Sequence, residues 1–348
     1  MKSGGIHVQK VNVAINGFGR IGRLVSRILL EEKYSNHLQL VAINDLTNIE
    51  TLAHLLKFDS IHGTYNKDIT IESDAIVIDG HKIHICKEPN PEKLPWKEMG
   101  VDVVIEATGR FKDREGVAKH LTAGAKKVVV SAPTKGEDIM MVMGVNDHLY
   151  DSSNHHVISA ASCTTTCLSP VIKVLHETLE IERGLMTTIH SYTNDQVLLD
   201  FAHSDLRRAR AGALSMIPTS TGAAQAVGKI IPELSGKLSG MAIRVPTPNV
   251  SCIDLVLNVK KDTSKEEVNR ILQEASQGEM KSVMYYSELP LVSIDYNGSS
   301  YATIVDALST IVMDGTMVKV ILWYDNEWGY SSRLIELISH IAQKDAKI

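Results

Sequence analysis

The chain has 348 residues, of which 44 % are hydrophobic and 22 % are charged, and its length favours two domains. Its formal net charge of −5 argues against nucleic acid or an anionic membrane surface as a partner. Four cysteines are too few for a disulfide-stabilised secreted protein, and no signal peptide or long apolar run is present, so we expect a cytoplasmic protein.

The first predicted elements are a strand and a helix within residues 10–32, KVNVAINGFGRIGRLVSRILLEE. Between them Gly17, Gly19 and Gly22 form a G-x-G-x-x-G motif. Glycines in this context allow a tight turn and a close approach of pyrophosphate, and the helix start offers free N–H groups. We therefore predict a dinucleotide site here. A glycine turn without a ligand is the alternative, which the flanking strand and helix disfavour.

The strands that follow also end in polar residues. The segment LQLVAIND ends in Asp45, 23 residues past Gly22. An acidic side chain near this spacing accepts ribose hydroxyls and repels a 2′-phosphate. NAD is therefore favoured over NADP. Two further predicted strands, in 101–111 and 125–133, lead to Thr108 and Ser131. Because ligands bind beyond the carboxyl ends of parallel strands, we expect these residues to line the same crevice.

Cys163 and Cys167 lie in the segment SAASCTTTCLSP, after another predicted strand. Helical spacing follows, so Cys163 is predicted at or just before a helix N-terminus, where a thiolate is stabilised. Pro170 predicts either irregular first turns or a helix that becomes regular only at the proline. A metal pair lacks further ligands nearby, and a disulfide is disfavoured in a reducing compartment. Two inert core cysteines stay possible, and Cys167 is expected to be buried.

A predicted strand, LMTTIH, ends in His190, which would return beside the helix start. A thiol and an imidazole form a nucleophile–base pair, although a lone histidine is more often structural. The polar segment 191–222 has no clear periodicity and contains Arg207, Arg208 and Arg210, and long irregular segments are usually functional. Arg244 lies on an apolar strand and needs an anionic partner such as phosphate. A solvated basic face with an internal salt bridge is the alternative.

The second half closes with alternating strands and a helix, so a mostly antiparallel sheet with covering helices is expected there. Seven segments now resemble one family: INGFGRIGR, SCTTTC, HSYTNDQ, DLRRARA, IPTSTGAA, RVPTPNVS and WYDNEWGYSSR. In this order, from about residue 10 to 340, they resemble the phosphorylating glyceraldehyde-3-phosphate dehydrogenases.

The resemblance implies a role for each matching residue. Cys163 matches the family's nucleophile and His190 its base, and no metal is implied. The residues that match the family's contacts with the nicotinamide dinucleotide are Arg20, Ile21, Asp45, Thr108, Ser131, Asn326 and Tyr330. Two anion sites, for the substrate's 3-phosphate and for inorganic phosphate, fall to Ser162, Thr164, Thr193, Arg208, Thr221, Gly222 and Arg244.

The same resemblance implies an α/β fold with a Rossmann-like, doubly wound parallel sheet and an α+β catalytic domain. The expected domains are residues 10–162, completed by a C-terminal helix at 327–348, and residues 163–326. The implied reaction oxidises D-glyceraldehyde 3-phosphate to 1,3-bisphosphoglycerate with NAD⁺ and inorganic phosphate. A homotetramer is implied, in which the loop 191–220 reaches a neighbouring subunit's cofactor site. Erythrose-4-phosphate dehydrogenase, a non-phosphorylating aldehyde dehydrogenase and a non-enzymatic nucleotide-binding redox sensor are the alternatives.

Three positions depart from the family pattern. Thr166 stands where asparagine is usual, so the positioning of Cys163 could differ while catalysis should survive. Phe201-Ala202 replaces the Leu-Pro pair that helps to exclude NADP, so use of both cofactors stays open. Pro89 stands where many relatives have an arginine beside the adenine.

Overall fold

The computed structural model describes residues 10–346, which form two compact units. Unit 1 contains the described chain up to Met140, Tyr150–Ala160 and the chain from Leu334. Unit 2 contains Met141–Leu149 and Ala161–Arg333. This division differs from the expected domains at residues 161–162 and 327–333, which were expected in the first domain and belong to unit 2. It differs also at residues 141–149, again expected in the first domain. The reason is packing, because a side chain at Gly144 would meet Met280 and Val283 of unit 2.

Unit 1 is built around a nine-stranded sheet. Its strands are β1 Val11–Asn16, β2 Leu38–Asn44, β3 Ile69–Glu72, β4 Ala75–Ile78, β5 His81–Cys86, β6 Val103–Glu106, β7 Lys127–Val130, β8 Ile139–Met140 and β9 Val157–Ser159. Its helices are α1 Arg20–Leu29, α2 Glu32–Ser35, α3 Ile49–Lys57, α4 Arg114–Val117 and α5 Lys119–Thr122.

The strand order is β3-β4-β5-β2-β1-β6-β7-β9-β8, and every neighbouring pair is parallel except β3-β4 and β4-β5. The central strands β6 and β7 are buried along their whole length, because a parallel sheet with covered faces buries both sides of each strand. The order reverses at β1, where the chain moves from β2 on one side to β6 on the other. This is the switch point at which open α/β sheets bind ligands.

Unit 2 is built around a seven-stranded sheet. Its strands are β10 Ile181–Ser191, β11 Ile217–Thr219, β12 Leu238–Val245, β13 Ser251–Val259, β14 Met284–Ser287, β15 Thr303–Met313 and β16 Met317–Tyr324. Its helices are α6 Cys163–Leu179, α7 Ala223–Ile230, α8 Lys265–Gln277 and the beginning of α9 Trp328–Asp345, whose residues from Leu334 belong to unit 1.

The strand order in unit 2 is β11-β12-β10-β13-β16-β15-β14. Four of the six pairs are antiparallel, and β10-β12 and β14-β15 are parallel. The predicted fold class is confirmed, since one sheet is mostly parallel and the other mostly antiparallel. The parallel pairing of β10 with β12 places His190 directly opposite Arg244. The short strand β11 lies inside the segment 191–222, for which no regular structure was expected.

Helix α6 begins at Cys163, and the expectation of irregular first turns was wrong. Ser162 is the N-cap, and its Oγ accepts the Thr165 amide at 3.1 Å, which satisfies one of the free amides of the first turn. Pro170 lies inside the helix. Proline removes only its own amide bond to the carbonyl four residues earlier, so the capped first turns stay regular.

The helices between residues 10 and 346 include none that is both long enough and apolar enough to cross a membrane.

Candidate active site

Unit 1 contains a cleft of about 360 Å³ beyond the carboxyl ends of β1, β2 and β6. Two predicted glycines, Asp45 and Thr108 line it. The complete lining is Asn16, Gly17, Gly19, Asn44, Asp45, Leu46, Glu88, Pro89, Ala107, Thr108, Arg110 and Phe111. The cleft therefore lies at the switch point of the sheet, where the sequence motif predicted it.

The glycine turn is sterically closed to other residues. Gly17 has a φ of +94°, and a Cβ there would lie 2.6 Å from the Thr108 amide nitrogen. A Cβ at Gly22 would lie 2.2 Å from the Gly17 carbonyl oxygen. Helix α1 begins directly after Gly19, so the first amides of the helix face the turn without helical partners. This backbone cradle matches what a dinucleotide pyrophosphate requires.

Asp45 closes the turn from the side of β2. Its Oδ2 accepts the Phe18 amide at 2.8 Å, and its Oδ1 accepts the Thr47 amide at 3.0 Å. Burial acts to raise the pKa of Asp45, but the Phe18 and Thr47 hydrogen bonds outweigh it and lower the pKa. The carboxylate is therefore ionised at neutral pH, and each oxygen keeps a lone pair for a ribose hydroxyl.

Three more predicted cofactor residues lie in the same unit. The Arg20 guanidinium is held by both oxygens of Asp59, at 2.7 and 3.2 Å, so its orientation is fixed. Ile21 follows it in the first turn of α1. Ser131 comes directly after β7, and its Oγ donates to the Glu106 carbonyl at 3.0 Å.

Sequence reasoning missed the pocket residues Asn16, Asn44 and Glu88. The signal for the two asparagines was present, because each is the last residue of a parallel strand. Glu88 is not at a strand end, so its place in the sequence did not indicate a pocket residue. Tertiary structure brings its loop beside Asn44, and Asn44 Nδ2 donates to the Glu88 carbonyl at 2.9 Å.

In unit 2 the structure brings Cys163 and His190 together. Cys163 is the first residue of α6, His190 is near the end of β10, and Sγ lies 3.5 Å from Nε2. Burial raises the pKa of the Cys163 thiol, while Arg244 acts to lower it. Burial, with the Arg244 charge second, lowers the pKa of His190 to about 3. The resting pair is therefore a thiol beside a neutral imidazole.

The tautomer of His190 follows from the contacts of its other ring nitrogen. Nδ1 lies 2.7 Å from the Ser191 carbonyl oxygen and 2.9 Å from Arg244 Nη1. We assign the proton to Nδ1, because the carbonyl is the shorter contact and can only accept. Nε2 then has its lone pair facing the thiol of Cys163, which is the arrangement a general base needs.

Arg244 is the cation beside this pair. Its Nη1 donates to the Ser191 carbonyl at 3.2 Å, whereas its Nε is buried and has no hydrogen-bond partner. A buried guanidinium donor without a partner is costly, and an anion would satisfy it. An anionic partner for Arg244 was also predicted from its position on an apolar strand.

The other predicted anion residues of unit 2 form a second group. Arg208 donates from Nε to Thr219 Oγ1 at 2.8 Å and from Nη1 to Asp195 at 2.5 Å. The Asp195 carboxylate therefore balances the charge of Arg208. Thr221 Oγ1 accepts the Ala223 amide at 3.3 Å, and Gly222 is the N-cap of α7, facing open space. Thr193 is exposed at the start of the long loop. Arg207 and Arg210 lie outside this group, and Arg210 pairs with Asp200 on the surface.

The remaining predicted residues of unit 2 are buried. The Thr164 hydroxyl bonds to the Tyr324 hydroxyl at 3.0 Å. The Tyr330 hydroxyl donates to the Ala161 carbonyl at 3.0 Å. Asn326 Oδ1 accepts from Ser251 Oγ at 2.8 Å. Ser251 Oγ in turn accepts the amide of Ser191, the neighbour of His190, so Asn326 supports the strand end that carries the imidazole.

The family departures have definite positions. Thr166 is buried one turn inside α6, and its amide donates to the Ser162 carbonyl at 2.8 Å. The helix is capped by the Ser162 side chain, so capping does not depend on the residue at position 166. Phe201 lies exposed on the long loop, and Pro89 lines the unit 1 cleft without a basic side chain at that position.

Comparison with known proteins identifies the family of this chain. Residues 11–114 match the domain family described as glyceraldehyde 3-phosphate dehydrogenase, NAD binding domain, and residues 162–326 match its C-terminal domain. The chain is 58 % identical over 334 residues to a glyceraldehyde-3-phosphate dehydrogenase of Geobacillus stearothermophilus, covering 96 % of this chain and 99 % of the relative.

Two further relatives have the same coverage of this chain. A glyceraldehyde-3-phosphate dehydrogenase 1 of Bacillus subtilis is 54 % identical over 334 residues, with 99 % of the relative covered. A glyceraldehyde-3-phosphate dehydrogenase 2 of Trichormus variabilis is 55 % identical over 335 residues, also with 99 % covered. With both domains matched and near-complete coverage at this identity, the chain belongs to the glyceraldehyde-3-phosphate dehydrogenase family, and its cofactor is NAD.

Proposed function

We propose that this protein oxidises D-glyceraldehyde 3-phosphate to 1,3-bisphosphoglycerate, with NAD⁺ as oxidant and inorganic phosphate as second substrate. The observation that carries the proposal is the placement of Cys163 Sγ, 3.5 Å from His190 Nε2 at the start of α6, beside the charge of Arg244. A thiol, a base and a cation in one place are what aldehyde oxidation through a thioester requires.

In the first step the Cys163 sulfur attacks the aldehyde carbon and forms a hemithioacetal. His190 Nε2 takes the thiol proton, and the carbonyl oxygen becomes an oxyanion. The free amides at the start of α6 and the imidazolium N–H stabilise this charge. Protonation of the oxyanion by His190 gives the neutral hemithioacetal and restores the neutral imidazole.

In the second step the hemithioacetal is oxidised to a thioester, for which NAD⁺, held by the glycine turn and Asp45, would supply the hydride acceptor. His190 Nε2 removes the hydroxyl proton at the same time, so the carbon becomes the carbonyl of a thioester. The Ser191 carbonyl, bonded to Nδ1, stabilises the imidazolium that forms.

In the third step an oxygen of inorganic phosphate attacks the thioester carbonyl. The carbon–sulfur bond breaks, and the acyl phosphate leaves. The Cys163 thiolate then takes the proton held on His190 Nε2, which restores the thiol and the neutral imidazole. Arg244 and Arg208 supply cationic donors and Thr221 supplies a hydroxyl donor for two anions, the 3-phosphate of the substrate and the attacking phosphate.

The deciding experiment measures NADH formation from D-glyceraldehyde 3-phosphate with and without inorganic phosphate. We expect turnover that depends on phosphate, with arsenate as an effective substitute. Turnover that is unaffected by phosphate would identify a non-phosphorylating dehydrogenase. Faster oxidation of erythrose 4-phosphate would identify the sister activity, and NAD binding without oxidation of either aldehyde would identify a redox sensor.

Asp45 is proposed to set the preference for NAD. Asp45→Asn keeps an oxygen that can accept an amide hydrogen bond but removes the negative charge that repels a 2′-phosphate. We expect the NADP to NAD ratio of kcat/KM to rise about tenfold, which corresponds to about 1.4 kcal/mol. Glu88→Gln removes the same charge from another acidic residue of the cleft and should leave the ratio unchanged. An unchanged ratio in Asp45→Asn would exclude this role.

We further propose a cytoplasmic homotetramer, on the basis of the family resemblance. The loop between β10 and β11 carries six apolar side chains that are 71–83 % exposed: Leu198, Leu199, Phe201, Leu206, Leu214 and Met216. Apolar surface of this extent on one segment is typical of a protein–protein interface. Sedimentation at micromolar protein concentration should give a tetramer, and a stable monomer would contradict the proposal.

A further inference from the structure

A chain of buried polar side chains lies behind the NAD cleft of unit 1. Asn16 and Glu106 are the last residues of the neighbouring strands β1 and β6, and they lie opposite each other in register. His120 of α5 and Trp96 continue the chain away from the cleft, and both are 0 % exposed. The reaction steps described above use none of these four residues.

The direction of each hydrogen bond that links these four side chains is fixed. The Trp96 indole can only donate, and it donates to His120 Nδ1 at 2.9 Å. His120 therefore carries its proton on Nε2, which donates to Glu106 Oε2 at 3.1 Å. Asn16 Nδ2 donates to the same carboxylate oxygen at 2.6 Å. Glu106 is thus the acceptor at which donors from two directions meet.

The other carboxylate oxygen of Glu106 holds a wall of the cleft. Oε1 accepts the Thr108 amide at 2.9 Å and the Thr108 hydroxyl at 2.5 Å. The Thr108 amide nitrogen is the atom that a Cβ at Gly17 would approach to 2.6 Å. The position of Thr108 and the shape of the glycine turn therefore depend on each other.

Asn16 carries the chain to the opposite wall of the cleft. Its Oδ1 accepts from Asn44 Nδ2 at 2.7 Å, and Asn44 also donates to the Glu88 carbonyl and accepts the Glu88 amide, both at 2.9 Å. Asn16, Asn44, Glu88 and Thr108 all line the cleft. One buried carboxylate therefore connects cleft residues on both sides of the switch point.

We propose that Glu106, supported by His120 and Trp96, is a positioning residue for NAD. It holds Asn16 and Thr108 in the geometry that receives the dinucleotide, so it determines cofactor affinity rather than the rate of the chemical step. A buried carboxylate costs free energy unless every lone pair is satisfied, and apolar residues would fill the same space at lower cost. Four donors nevertheless converge on Glu106, and together they fix the positions of the cleft residues Asn16 and Thr108. The inference rests on the NAD site of the proposed function.

The first test is Glu106→Gln, with NAD affinity measured by isothermal titration calorimetry. The glutamine amide places a donor opposite the Thr108 amide in one orientation, or opposite the Asn16 and His120 donors in the other. Either way one wall of the cleft loses its partner. We expect the Kd for NAD to rise about tenfold or more. The KM for NAD should rise with it, while kcat at saturating NAD and the KM for glyceraldehyde 3-phosphate change far less.

Trp96→Phe is the second test, and it decides the question if Glu106→Gln does not fold. Phenylalanine keeps an aromatic ring in the core but removes the donor that fixes the His120 tautomer. Because Trp96 does not line the cleft, a rise in the Kd for NAD, about threefold, would have to travel through His120 and Glu106.

Ile105→Val is the matched control, because Ile105 is a fully buried neighbour of Glu106 on β6 and makes no side-chain hydrogen bond. It should lower thermal stability and leave the Kd for NAD unchanged. The inference is overturned if folded Glu106→Gln and Trp96→Phe bind NAD as the parent does. It is also overturned if Ile105→Val weakens binding equally. Failure of the parent chain to bind NAD would instead overturn the proposed function itself.

Discussion

Replacing Cys163 by serine is expected to lower NADH formation from glyceraldehyde 3-phosphate by on the order of 10⁴-fold or more. The serine hydroxyl has no ionised form at neutral pH, whereas the Cys163 thiol can pass its proton to His190 Nε2 at 3.5 Å. A single-turnover experiment without phosphate measures this directly, because one equivalent of NADH should appear with the parent enzyme and none with Cys163→Ser. Mass spectrometry should find the acyl group on Cys163 in the parent alone.

Cys252→Ser is the matched control for the nucleophile. Cys252 is also partly exposed, but it lies on β13 beside the strand that carries His190, and burial raises the pKa of its thiol to about 11. Its replacement should leave the burst and the turnover within about twofold of the parent. An acyl group mapped to Cys252, or a full burst from Cys163→Ser, would show that the nucleophile has been assigned to the wrong residue.

Replacing His190 by asparagine is expected to lower kcat by about 10²–10⁴-fold, since asparagine can hydrogen-bond but cannot take up a proton. The pH profile of Cys163 alkylation by iodoacetamide tests the same pair without turnover. Burial raises the pKa of the thiol, and His190 Nε2 is the acceptor for its proton. With His190 present, the sulfur can be alkylated as its proton passes to Nε2. In His190→Asn only the free thiolate reacts, so the profile of the variant should move toward higher pH.

His176→Asn controls for the loss of a histidine near the same helix. His176 lies near the far end of α6, where its Nδ1 accepts the Ile181 amide at 3.1 Å. This variant should change stability without moving the alkylation profile. If the profile of His190→Asn also stays in place, His190 does not act as the base for Cys163.

The nucleotide site could be predicted because its information is local. The glycines of the turn, the strand before it and the helix after it are contiguous, and Gly17 and Gly22 are each required by a contact within 3 Å. Asp45 was predictable for the same reason, since it ends the next parallel strand. The proposed role of Glu106 was not predictable, because it depends on donors from Asn16 of β1 and His120 of α5 and on the Trp96 bond to His120. These groups meet only in the folded unit.

For the proposed catalytic residues, the geometry depends on non-local packing rather than on local sequence. The sequence motifs singled out Cys163, His190, Arg208 and Arg244 as a set, but they did not determine how these side chains contact one another. The parallel register of β10 with β12 places Arg244 opposite His190, and the Nε2–Sγ distance follows from the packing of α6 against the sheet. Pairing between distant strands is not encoded by spacing along the chain, so this geometry could not be read from the sequence.

The fold class, the NAD motif and the side chains proposed for catalysis could thus be predicted from the sequence, because these depend on local pattern and residue type. Only the tertiary structure decided the helix cap at Ser162, the tautomer of His190, the unpaired Nε of Arg244 and the buried acceptor Glu106. Each of these depends on the direction of a hydrogen bond between segments far apart in the chain. Such directions exist only once the donors and acceptors have been buried together.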